Sequence, residues 1–305
     1  MSSLETKRGL VTKKFNEFFF VDIEDTLSNT NQKRFLCKSR KSIRFKNEII
    51  FVGDQVVINK INSREKTAVI TKLIKRRNLL ERPSVANISD IYVTCSVEEP
   101  KLNFSQVSKL LINAEYLNVN VSLLLTKGDL INFEEKNNIT KKFKNWGYEP
   151  KVLTLKEEDD YFDLISELKR KKCSILMGPS GVGKTTLLNK IIPNLNNPTA
   201  TVSSKIKRGK NTTRNVELFS ISKNSYIVDT PGFNLHKIEI ESNYIPFLFP
   251  EIYNQFEKYN YRCKFNDCLH IDEPGCVIDK NFDRYQFYRD LINEAKNLNC
   301  QNLAD

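Results

Sequence analysis

One stretch, GPSGVGKTT at 178–186, constrains this chain more than any other. Gly178, Gly183, Lys184 and Thr185 satisfy G-x-x-x-x-G-K-[ST]. The apolar run KCSILM precedes the motif, and KTTLLNKII, with helical spacing, follows it. Strand, glycine loop and helix in that order make a phosphate cradle. The loop Gly178, Pro179, Ser180, Gly181, Val182, Gly183 lets backbone N–H groups close around phosphate oxygens, and the helix N-terminus adds its positive dipole end. Lys184 is placed to reach β- and γ-phosphates, Thr185 to hold Mg²⁺, and Thr186 sits beside it on the first helical turn. A cradle of this kind belongs to an α/β domain with a mostly parallel sheet.

Two further motifs fit a nucleotide. SYIVDTPG ends a strand-like run in D-x-x-G, which puts Asp229 near Mg²⁺ and the Gly232 N–H near a γ-phosphate. Between cradle and D-x-x-G lies KIKRGKNTTRN, basic and polar, where Thr212 or Thr213 completes the Mg²⁺ shell in an order–disorder switch. The third motif, LLLTKGDL, comprises Thr126, Lys127, Gly128 and Asp129 after an apolar strand. The Asp129 carboxylate can accept from N1–H and N2–H₂ of guanine, donors adenine lacks there, and the Lys127 stem can lie along the base. In most GTPases the base-recognition motif follows the phosphate loop; here it precedes it.

Around these motifs the chain divides into three. Short strand-like runs with turn signals fill 10–75, and their spacing predicts a small OB-type barrel over 1–75. Phe35, Lys38, Arg40, Lys41, Arg44, Phe45 and Lys46 interleave there, which suits RNA or, equally, a solvated basic face. Residues 75–90 read as a linker. Strand–helix alternation over 86–235 predicts the α/β domain, and 236–305 a mainly helical third domain. That tail carries Cys263, Cys268, His270 and Cys276 in C-x₄-C-x-H-x₅-C, three thiols and an imidazole, a closed tetrahedral set suited to structural zinc. The remaining four of seven cysteines are scattered, which suits a reducing compartment better than a disulfide framework. His236 reads as surface polar.

Lys and Arg exceed Asp and Glu by 48 to 37, net +11, which favours a polyanionic partner. No N-terminal apolar region reads as a signal peptide, and no apolar run has bilayer length. A cytoplasmic monomer without a membrane partner is the expectation.

ERPSVAN, GPSGVGKTTLLN, DTPGF and CLHIDEPGC together resemble the circularly permuted, ribosome small-subunit-dependent GTPase A family over nearly the whole chain. The resemblance implies the order base recognition, phosphate loop, switch, D-x-x-G. It also implies GTP hydrolysis to GDP and phosphate with Mg²⁺, one structural Zn²⁺, and a role in late maturation of the small ribosomal subunit through its rRNA. Thr126 and Asn211 stand where that family usually has Asn and His, so guanine selection falls to Asp129 and the acid–base part of that His is not carried over. Phe233 replaces a water-orienting Gln, which predicts slow intrinsic hydrolysis completed by a partner. The last base-contact loop has its nearest match in TLKEE, 154–158. Two other classes remain open: an RNA-binding assembly factor with a decayed nucleotide site, and an ATP-using P-loop enzyme.

Overall fold

The structure is a computed structural model that describes residues 5–23, 33–40, 49–81, 83–154, 158–192, 216–229, 240–259 and 262–302. They fall into two compact units, one drawn from Met1–Tyr92 and Leu155–Phe233, the other from Val93–Thr154 and Asn234–Asp305.

The first unit begins with β1 (Lys7–Phe15), β2 (Phe18–Ile23), β3 (Lys33–Ser39), β4 (Gln55–Asn62) and β5 (Thr67–Leu73). Alternation sets most of their faces: in β2 and β3, Phe19, Val21, Phe35 and Cys37 are buried while Phe18, Phe20, Arg34, Leu36 and Lys38 are more exposed; Asp22 breaks the pattern and is buried. Pairing runs β1–β2–β3–β5–β4, and β4 returns to β1 through Arg8↔Val57 and Gly9↔Val56. The β3–β5 pair is parallel and the others antiparallel. Closure removes the free edges, and Val11, Val21, Phe35, Val56, Ile58 and Ile70 fill the barrel. The predicted OB-type barrel therefore forms, with five strands.

The stretch read as a linker is instead ordered. Leu79–Glu81 (β6) and Ser84–Ala86 (β7) pair antiparallel. Arg76 clamps buried Asp54 through Nε at 2.6 Å and Nη2 at 2.8 Å, and Asn87 Nδ2 donates to the Gly53 carbonyl at 2.9 Å. The polar residues that suggested a linker thus hold the end of the barrel.

The same unit contains α3 (Glu158–Leu168), β11 (Cys173–Met177), α4 (Lys184–Ile191), β12 (Glu217–Ser222) and β13 (Ser225–Asp229). β11 and β13 run parallel, and β12 folds back antiparallel on β13. Barrel strand β1 also pairs with β12 at Lys13↔Glu217, where Lys13 Nζ lies 2.6 Å from Glu217 Oε2.

β8 (Asp90–Ser96), wholly buried, runs from the first unit into the second. The second unit continues with α1 (Phe104–Tyr116), β9 (Asn120–Thr126), α2 (Phe133–Asn145), β10 (Lys151–Leu153), α5 (Pro250–Tyr259) and α6 (Tyr285–Asn302). Asn103 caps α1, and Asn132 with Glu135 forms a reciprocal capping box on α2. β9 and β10 pair parallel. The C-terminal part is helical, as expected, and its core joins Ile112 of α1 to Ile245, Phe249, Ile252, Tyr288 and Ile292. At its centre Arg284, fully buried, makes a two-pronged pair with Glu251, and its guanidinium lies 4.8 Å from the Phe249 ring and 4.9 Å from that of Trp146. Among the described residues no helix is long and apolar enough to cross a membrane.

Candidate nucleotide and metal sites

All five residues of β11 are buried, so the strand is a rigid stem for the loop that follows. Gly181 at φ +82° and Gly183 at φ +91° take left-handed conformations that let the chain curl into a cradle. Gly183 precedes α4 with no side-chain cap, so the first N–H groups of that helix are left for an anion. Lys184 folds back into the loop, where Nζ donates to the Gly178 carbonyl at 2.8 Å and the Pro179 carbonyl at 2.5 Å. These bonds keep its ammonium in the middle of the cradle. Thr185 and Thr186 are exposed on the first turn of α4, as are Ser180 and Gly181 in the loop.

Asp229 ends β13. The parallel register Ile175↔Val228 brings the ends of β11 and β13 side by side, so the phosphate loop starts at the same end of the sheet at which Asp229 closes β13. Ligands of open α/β sheets bind beyond the carboxyl ends of the strands. Thr212, Thr213, Asn211, Gly232, Phe233 and His236 lie outside the described residues, as do Lys41, Arg44, Phe45 and Lys46 of the barrel and residues 155–157 of TLKEE.

In the second unit, Thr126 ends β9 with its hydroxyl buried and donating to the Cys95 carbonyl at 3.3 Å, while the Thr126 carbonyl accepts from Val97 N. Thr126 therefore ties the base-recognition turn to the end of β8. Lys127 adopts φ +61°, and its Nζ donates to the Glu99 carbonyl. Gly128 opens a short 3₁₀ turn, Gly128–Leu130, where a Cβ would lie 2.7 Å from Val152 Cγ1 and would push that side chain on β10 aside. That turn presents Asp129 to solvent.

The four C-terminal metal-ligand candidates converge. One donor atom from each of Cys263, Cys268, His270 and Cys276 lies within 4.8 Å of all the others. His270 Nδ1 lies 3.6 Å from Cys263 Sγ and 3.5 Å from Cys276 Sγ. A tetrahedral ion with thiolate and imidazole bonds of roughly 2.3 and 2.05 Å separates such atoms by about 3.6 Å. The donor set thus fits a four-coordinate ion, with His270 binding through Nδ1. Burial first, then the adjoining Cys276 and Cys263 thiols, push the Cys268 thiol up to about 12. A bound dication reverses that preference, because the thiolate is the ligand. Burial, aided by Lys280 and opposed by Glu273, lowers the His270 pKa, which keeps the ring nitrogen free for a metal.

Residues that the spacing did not single out hold these ligands in place. The Glu273 carboxylate accepts from Leu269 N at 3.1 Å and Ile271 N at 2.8 Å, which braces the loop around His270, itself at φ +56°. Tyr285 donates to the His270 carbonyl and Tyr288 to that of Leu269, at 3.2 and 2.5 Å. Cys276 N closes the turn onto the Glu273 carbonyl at 3.2 Å, with Gly275 at φ +78° as the Pro-Gly pair predicts. An acid inside the Cys/His cluster was a visible signal. The α6 tyrosines, so far away in sequence, gave none.

A family model described as RsgA GTPase matches residues 73–239. A protein of Prochlorococcus marinus (strain NATL1A), named small ribosomal subunit biogenesis GTPase RsgA, is 40% identical and covers 95% of each chain. A namesake from strain NATL2A is 42% identical over 87% of this chain and 84% of its own. Among solved structures, YjeQ from Thermotoga maritima superposes with TM-score 0.78 at 28% identity, covering 95% of this chain and 99% of its own. YloQ, described as a circularly permuted GTPase, gives 0.76 at 27% identity over 96% of each chain. Motif order, barrel, helical metal-site region and relatives agree: the chain belongs to the RsgA GTPase family and is a GTP-hydrolysing enzyme of the permuted kind.

Proposed function

We propose that this GTPase acts in biogenesis of the small ribosomal subunit, binding the subunit through its rRNA and hydrolysing GTP there. The observation that carries the nucleotide half is the neighbouring ends of β11 and β13, one leading into the phosphate loop and the other ending at Asp229. The ribosomal half rests on the relatives, which are named for that role.

In this reading the backbone of 178–183 and the start of α4 hold the phosphates. Lys184 exchanges its bonds to Gly178 and Pro179 for β- and γ-oxygens. Thr185, with Asp229 and Thr212 or Thr213, holds Mg²⁺, the Gly232 N–H meets the γ-phosphate, and Asp129 selects guanine beside the Lys127 stem. The buried Thr126 hydroxyl is committed to Cys95, so it steadies the turn and leaves base selection to Asp129. Cys263, Cys268, His270 and Cys276 hold one structural Zn²⁺. The functional segments are an RNA-binding barrel over 1–75, the GTPase domain over 86–235 and the zinc domain over 236–305, in a cytoplasmic monomer.

Sedimentation of the protein with purified small subunits tests this reading. Co-sedimentation with a non-hydrolysable GTP analogue, weaker with GDP and falling steeply with added salt, is the expected result. Equal binding with and without nucleotide favours an assembly factor with a decayed site, and no binding at any salt contradicts the ribosomal half.

A further inference from the structure

Lys and Arg make up 48 of the 305 residues, yet two stretches carry none: 110–126, which includes the end of α1, and 240–257. These stretches together present a cluster of exposed aromatic rings in the second unit. Phe247 is 67% exposed, Tyr244 42% and Tyr116 37%. The Tyr116 and Tyr244 rings meet edge-on at 5.7 Å, and Tyr244 and Phe247 lie 6.2 Å apart. Behind them Ile112, Ile245, Leu248 and Phe249 are buried, so the exposed rings stand on a fixed base.

The charge around this cluster is negative. Glu115 lies beside Tyr116, and Glu241, Glu251 and Glu257 are the charged residues of 240–257. Glu251 is committed to Arg284 and Glu115 accepts from Tyr148 at 2.9 Å, which leaves Glu241 and Glu257 exposed at the surface. Tyr253, 37% exposed on α5, feels the same field: burial, then Glu115, Glu251 and Glu257, raise its hydroxyl pKa, with Arg284 opposing. The nearest cations along the chain are Lys109 and Lys127 on either side of the first stretch and Lys237 and Lys258 on either side of the second.

On a protein of net charge +11, two surface stretches that contribute no Lys or Arg of their own are poorly made for phosphates. Exposed aromatic faces beside carboxylates are matched instead by guanidinium and ammonium groups, through cation–π attraction and ion pairing. We propose that Tyr116, Tyr244 and Phe247, with Glu241 and Glu257, form a docking surface for an arginine-rich protein segment. Arginine side chains stack on the rings and pair with the two carboxylates.

Direct titration tests this without ribosomes, so its outcome is separate from that of the ribosomal reading. A fluorescent arginine-rich peptide, its lysine counterpart and an oligo(U) RNA of equal length are each titrated onto the full chain by anisotropy. The expected result is saturable arginine-peptide binding, tighter than the lysine peptide, and weakened about tenfold in Phe247→Ala and in Tyr244→Ser. Glu241→Gln with Glu257→Gln weakens it further and flattens its salt dependence. Oligo(U) binding stays unchanged in all variants. Thermal melting checks that these exposed substitutions leave the fold intact. No peptide binding, binding indifferent to these residues, or loss of oligo(U) binding in the same variants overturns the proposal.

Discussion

The barrel and the Cys/His region solve the same problem by opposite means. The barrel closes its hydrogen bonding on itself and fills the interior with aliphatic and aromatic side chains, among them Val11, Val21, Ile58 and Ile70. Such a core needs no ligand, and its cost of change is spread over many contacts. Around His270 the chain instead follows an irregular path, held by Glu273 and by hydroxyls from Tyr285 and Tyr288. Burial first, and then the neighbouring thiols, disfavour the Cys268 thiolate, and burial likewise raises the Cys276 thiol, so the four converging donor groups call for a cation. One region is stabilised by area, the other by a few groups whose loss is not shared.

The largest effect separating them is expected from metal removal. If the Cys/His cluster holds the proposed Zn²⁺, Cys268→Ser or a strong chelator should release it and unprotect the amides of 262–280 in hydrogen exchange, while barrel amides stay protected. Equal loss in both regions would break the contrast. Arg284→Ala comes next, because it leaves Glu251 buried and unpaired. About 3–5 kcal/mol should be lost in denaturant unfolding, compared with a smaller loss when both partners become apolar. Ile58→Ala in the barrel should cost about 2–4 kcal/mol with the metal site unaffected, read as unchanged zinc content. The smallest effect is expected at Thr126→Val: about 1 kcal/mol for the lost bond to Cys95, with preference for GTP over ATP unchanged. A shift of that preference would return Thr126 to the base site.

Local motifs were legible in the sequence because each is written in consecutive residues. The phosphate loop appears where β11 and α4 place it, and the four metal-ligand candidates come together as C-x₄-C-x-H-x₅-C suggested. Short strand-like runs separated by turn signals likewise gave the barrel, although residue type alone did not give its faces: Phe18, Phe20 and Leu36 lie outside the fully buried set and Asp22 lies within it. Partners distant in the chain were not legible. Nothing in β1 or β12 says that Lys13 meets Glu217, and nothing near Pro250 says that Glu251 awaits Arg284. The ordered β6–β7 hairpin was hidden because its polar residues bond to the barrel, so composition imitated a linker.

Turnover of GTP by the purified protein, with and without small ribosomal subunits and with ATP as control, tests the central claim most directly. The account predicts slow basal hydrolysis, a sharp rise only with subunits and GTP, and a loss of roughly a hundredfold or more in Lys184→Ala. Turnover indifferent to subunits, or equal use of ATP, would contradict it.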